Sequence, residues 1–430
     1  MTTALSPTGP AGTTVSPASI PSIPEVDPAR APGVGGLSLA AAGPDPADLD
    51  PRRALRELAH WQADGRPADR FPYPAVLGHY RAVGKNAVGA ELLTALRALQ
   101  PAPIEDAELI ESEEAADAEP ADPAARLLAD WLPQVVDGRR GDYDSYLGSP
   151  VYASLAAGGA SPDEVITALL ADLVAIEAAA LAGNPDGRAR TRAALRALAA
   201  AAGLPAEHGA AATTGTTATT ATATTEDTDP ADLVRACAEA VAAARATLPA
   251  DVLRAVEVTL TPTTRCHDEQ MFIRVVQIFE AVFAAVGRAV LAATETVTAG
   301  RADLARELLD GATRQVAGTS AVFRVLTTMP KDAFAVIRAN TDGRSAVQSR
   351  AYRAVERSCP TLHLTLERSG LPKEELRSAM AELDAAWGAM KRTHWGITMK
   401  IIGSVRGTGG TAGAAYLREA AEARLFPALD

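Results

Sequence analysis

Aromatic side chains make up only 4% of the 430 residues, cysteine occurs three times and histidine six times. The cysteines, Cys237, Cys266 and Cys359, form no CxxC pair, which excludes a zinc ribbon or a thioredoxin-type site. An odd, sparse count suits a reducing compartment, so a cytoplasmic location is expected. A basic stripe is missing as well, and the formal net charge is −12, which argues against a nucleic-acid partner. No apolar run reaches membrane length without a charge. Asp172 and Glu177 interrupt 164–182, and Arg274, Glu280 and Arg288 interrupt 271–293. No membrane partner is therefore expected, and both runs read as buried helices of a soluble protein. The first residues have neither the basic region nor the apolar region of a signal peptide, so none is expected. Strand–helix alternation, a solenoid period, a Walker A pattern and a G-x-S-x-G elbow are all missing too.

What is present is alanine and a 47% hydrophobic share, enough for a sizeable core and more than one domain. Alanine favours helix and β-branched runs are rare, so the fold class expected is all-α. Residues 1–48 are rich in Pro, Gly, Ser and Ala and are expected to be a disordered tail. Residues 49–208 form a first helical region. "DPRRALRELAHWQAD" and "DPAARLLADWLPQVV" both open on Asp-Pro, a cap followed by proline in the first turn. "SPDEVITALLADLVAIEAAALAG" has a serine cap, early acids and a terminal glycine. Residues 209–230 are an Ala/Thr-rich linker, and 231–430 form a second helical region.

Three stretches of the second region could carry chemistry. In "CHDEQMFIRVVQIFEAVFAAVGRAV", Phe272, Val276, Phe279, Phe283, Val286 and Val290 make one apolar stripe. His267, Asp268 and Glu269 open that helix. The acids complement the positive end of its dipole, and three consecutive residues point in different directions, so they are no metal site. In "FAVIRANTDGRSAVQSRAYRAVE", Arg338 ends a helix, either as a solvated cap or as a fork that takes a carboxylate bidentately. In "KRTHWGITMKIIGSVRGTGGTAG", Trp387, Met390, His394, Ile397 and Ile401 step by three and four. Periodicity alone makes His394 a core histidine with a hydrogen-bond partner. The following "GTGGTAG" nearly satisfies G-x-G-x-x-A but follows a helix, and a dinucleotide site needs a strand there.

In this order, "HDEQMFI", "SAVQSRAYRAVE" and the terminal "HWGITMKIIGSVRGTGGTAGAAYLREAAEARLFPALD" resemble the tryptophan 2,3-dioxygenase family and its superfamily of histidine-ligated heme aromatic oxygenases. The resemblance covers residues 265–430. It implies a helical-bundle heme domain, preceded here by an additional helical region. It implies heme b with His394 as the axial iron ligand, and a cofactor-side loop containing Ser345 and Ala346. It further implies that Arg338 holds the carboxylate of an aromatic amino acid and that Thr408, beside Gly409, contacts its ammonium and carboxylate. Phe272 and Phe334 would line the ring pocket, Phe334 where a tyrosine is usual. The implied activity is oxygenation by O2 of L-tryptophan or a related indole or aromatic amino acid, in specialised metabolism. The alternatives are peroxide-driven monooxygenation of tyrosine or another aromatic amino acid, and a non-catalytic heme-binding or sensor protein. Homodimers or homotetramers are implied as well.

Two departures from the family pattern stand out. Val276-Gln277 replaces the family's distal "HQ" pair, so no distal base is expected there. "GDYDSYLGSP" is similar to the family's Y-x-x-Y-L element, but Tyr143 and Tyr146 lie over a hundred residues upstream of the family position. The long N-terminal region is a candidate for closing the site within one chain.

Overall fold

Helix-start signals in the sequence fall where helices begin. The computed structural model describes residues 46–100, 122–137, 143–181, 187–204, 229–341, 349–401, 414–427 and 429. Among them there are helices and no strands, an all-α fold. The first region contributes α1 (Pro46–Leu49), α2 (Arg52–Ala63), α3 (Tyr73–Val83), α4 (Ala90–Arg97), α5 (Pro123–Val136), α6 (Tyr143–Leu147), α7 (Ser149–Ala157), α8 (Pro162–Leu181) and α9 (Arg188–Ala201). The second contributes α10 (Pro230–Arg245), α11 (Ala250–Val258), α12 (His267–Thr298), α13 (Ala302–Leu326), α14 (Lys331–Asn340), α15 (Arg350–Arg368), α16 (Glu374–Ile401) and α17 (Ala414–Glu422).

The caps behave as their chemistry requires. Asp122 accepts from the Ala124 N–H and Asp229 from the Ala231 N–H, each with proline in the first turn. Pro46–Asp48, placed in the tail by composition, are helical. Asp48 pairs with Arg53 at 3.0 Å, and its carbonyl contacts the His79 ring at 2.8 Å, which ties this turn to α3. The expected linker, 209–230, falls almost wholly outside the described residues.

The core sits where helices of both regions meet. α12 packs on α8, α13 and α15, and α13 packs on α16. In the first region, Trp61, Phe71, Tyr73 and Trp131 form an edge-to-face aromatic cluster that also includes Ala255 and Val258 of α11. The Trp131 indole donates to the Val258 carbonyl at 2.8 Å, so the two regions share one core. By length and apolarity α12 could cross a membrane, yet its most apolar window is 56% buried among these neighbours, as befits a central core helix.

Candidate functional site

The site is built on the first turns of α12. Cys266 is the N-cap, and the three side chains that follow diverge. His267 Nε2 meets Glu177 of α8 at 3.2 Å, and Arg190 of α9 pairs with Asp268 at 2.5 Å. Glu269 turns back to the preceding loop. It accepts from the Thr263 and Thr264 N–H groups at 2.8 and 2.7 Å and from both threonine hydroxyls. Burial still raises its pKa above the ordinary carboxylate value, with these hydrogen bonds pulling the other way. The loop is held from outside by Gly84, whose φ is +80° and where a Cβ would stand 2.8 Å from the Thr264 backbone. The motif's residues therefore tie α12 to α8, α9 and the preceding loop. Among the described residues no group of three metal-ligating side chains converges.

Burial along the α12 stripe is uneven. Val286 and Val290 are 0% exposed, Phe279 and Phe283 are each 9% exposed, and Phe272 and Val276 are only half-buried. The stripe is thus incompletely covered over its first turns. Tyr143, Tyr146 and Leu147 of α6 pack against Phe272 and Val276, so the N-terminal region reaches this face within one chain. The Tyr146 hydroxyl donates to Glu269 at 3.2 Å, and that of Tyr143 to Glu280 at 2.8 Å. On α14, Phe334 meets Phe272 edge-on, with centroids 6.1 Å apart and planes at 71°. Arg338 lies four residues further along α14, on the same side of the helix as Phe334, and is half-buried.

A line of rings leads from this stripe to the histidine. Phe279 and Phe323 of α13 have centroids 4.6 Å apart, and Phe323 stacks on the His394 ring at 6.3 Å and 21°. His394 is half-buried by exposed area, but protein atoms surround it closely enough that desolvation lowers its pKa and keeps the imidazole neutral. Among the described residues neither ring nitrogen has a hydrogen bond, and the ring's contact is with Phe323. Two turns earlier on α16, buried Trp387 packs on Phe283 and Tyr352, and its indole N–H has no partner among the described residues.

The structure therefore brings Phe334 onto Phe272 beside Val276, with Arg338 one turn further along α14, and a line of rings through Phe279 and Phe323 runs to His394. Gln277 is turned elsewhere: its amide donates to the Leu147 and Thr259 carbonyls at 2.7 and 3.3 Å and accepts from Arg274 at 2.7 Å. Ser345, Ala346, Thr408 and Gly409 lie outside the described residues. No family model matches this chain, and no curated protein matches it. Any functional reading rests on the motifs and on this geometry. Sequence reasoning missed Glu280 as a site residue. Its one signal was an acid interrupting an apolar stripe, one turn after Val276.

Proposed function

We propose that the chain is a heme-dependent oxygenase acting with O2 on L-tryptophan or a related aromatic amino acid. The observation that carries this reading is His394: a neutral imidazole without a hydrogen bond among the described residues, stacked on Phe323, at the end of a ring line that leads to an incompletely covered aromatic stripe. The donor fits the group. A neutral ring nitrogen in an apolar setting can ligate heme iron, so His394 would be the residue that holds the group. When bound, heme b supplies the iron at which dioxygen is activated.

The chain's own residues supply position. Arg338 grips the amino acid's carboxylate with a planar fork, and Thr408 contacts the ammonium end. Phe272 and Phe334 confine the aromatic ring between edge and face, which restricts its approach. Val276 presents a methyl surface where an acid or base could otherwise stand, so it excludes water and moves no proton. Tyr143 and Tyr146 support this wall from the same chain. A homodimer or homotetramer belongs to the reading, although the α6 wall does not depend on a second copy.

The test is reconstitution of the purified full chain with heme. A Soret band is expected for the wild type and is lost or shifted in His394→Ala. An unchanged band in that variant overturns the ligand assignment. Mass spectrometry after labelled O2 then counts the oxygen atoms gained by tryptophan or tyrosine, two for ring cleavage and one for hydroxylation.

A further inference from the structure

Glu280 stands out among the acids of this core. Asp268 and Glu177 face Arg190, and Asp172 faces Arg274. Asp144 beside it faces Arg350 at 3.4 Å. Glu269 has its donors from two threonines. Glu280 has no cation within ion-pair distance among the described residues; it accepts only from the Tyr143 hydroxyl at 2.8 Å through Oε1 and the Ser349 hydroxyl at 2.9 Å through Oε2. A carboxylate offers about four lone-pair positions, so each oxygen keeps one in reserve. Removing such a group from water without further donors is costly, and burial here raises its pKa. The Tyr143 hydroxyl is itself held protonated by burial and by this acid, so it stays a donor and leaves the remaining acceptor positions open.

The position of Glu280 matters as much as its chemistry. It follows Phe272 and Val276 at intervals of four on α12, hence on the same face, and it is half-buried like them. Eight residues of helix separate the level of Phe272 from that of Glu280, about 12 Å along the axis. Arg338 belongs to the Phe272 end through Phe334. The face thus has a cationic fork at one end, aromatic and methyl surface between, and an open acceptor at the other.

We propose that Glu280 is a specificity-determining residue that accepts a hydrogen bond from a ring N–H or O–H of the aromatic ligand, with Tyr143 and Ser349 orienting its carboxylate. This rests on the reading of the site as one for an aromatic amino acid. It selects ligands with a donor at the far end of the ring, such as an indole N–H or a phenol O–H, over those whose donor is methylated, because a methylated ligand leaves the acid unpaired.

The experiment uses the heme-reconstituted full chain and follows ligand binding by the shift of the Soret band. The probes are L-tryptophan against 1-methyl-L-tryptophan and L-tyrosine against O-methyl-L-tyrosine. The wild type is expected to prefer the donor-bearing member of at least one pair by about tenfold or more. Glu280→Met, which removes the acceptor, should bring that ratio near one. Glu280→Gln keeps the shape if the methionine variant fails to fold, and should reduce the ratio at least about threefold through loss of the charge. A merely structural tie would weaken both members of a pair alike and leave the ratio intact. Equal affinities in the wild type, or an unchanged ratio in a folded variant, overturn the proposal. A wild-type Soret band that responds to none of the four amino acids overturns the aromatic amino-acid reading itself, and is distinguishable because it needs no substitution at Glu280.

Discussion

Replacing Glu269 by glutamine tests whether one buried carboxylate holds the floor of the site. Its Oε1 accepts from the Thr263 N–H at 2.8 Å, the Thr263 hydroxyl and the Tyr146 hydroxyl, and its Oε2 from the Thr264 N–H at 2.7 Å and the Thr264 hydroxyl. Glutamine replaces one oxygen by an NH2 group, which cannot accept. The threonine hydroxyl on that side can rotate to accept from the amide, but the backbone N–H beside it cannot. One buried N–H is left without a partner, at a cost of about 1–3 kcal/mol. The remaining bonds also lose their charge assistance, while the neutral amide recovers part of the desolvation cost that raises the Glu269 pKa. The net loss is about 2 kcal/mol, and Glu269→Ala, which orphans both N–H groups, loses about twice that. Urea unfolding at pH 7, followed by helical circular dichroism, reads this as a lower midpoint at unchanged slope. A loss under about 0.5 kcal/mol for Glu269→Gln refutes the reasoning, since it would mean that the recovered desolvation cost offsets the orphaned N–H and the lost charge assistance.

Two further outcomes are expected. Arg338→Lys should weaken aromatic amino-acid binding about tenfold or more in titration calorimetry, because an ammonium cannot take a carboxylate bidentately; unchanged affinity removes Arg338 from the site. The lowered pKa of His394 has a definite sign in the heme-free protein. The folded state disfavours the imidazolium, so the penalty is absent above the unfolded value of about 6.5 and grows as pH falls from there to the lowered folded value. Urea midpoints at pH 7, 6 and 5 should fall more steeply for the wild type than for His394→Gln, and parallel slopes would place the titration elsewhere.

Much of the fold was legible in the sequence because helices are local objects. Asp122-Pro123 and Asp229-Pro230 start helices where they stand, since cap and proline act within one turn. The Phe272–Val290 stripe runs along one side of α12 because side chains three and four apart share a face. The same rule placed His394 on the apolar stripe of α16. The departure at Val276 was likewise readable, because an identity needs no fold to be seen.

Docking decided the rest. Sequence distance made Tyr143 and Tyr146 look remote from the site, yet α6 lies against α12, and Tyr143 bonds to an acid 137 residues away. Gln277 is adjacent to Val276 in sequence, but the helical turn between neighbours points it at Leu147 and Thr259, away from the site face. Which part of the apolar stripe stays uncovered, and whether the His394 ring finds a partner, depend on how α8, α13, α15 and α16 pack around α12. That packing is set by the summed burial of many side chains, a nonlocal quantity that no single stretch of sequence carries. The sequence by itself determined the helices and their faces, and it supplied the candidate residues on which the proposed site rests. Only the tertiary structure decided that Phe272, Val276 and Phe334 meet at an incompletely covered face, and that Glu280, which has no cation within ion-pair distance among the described residues, stands at its end.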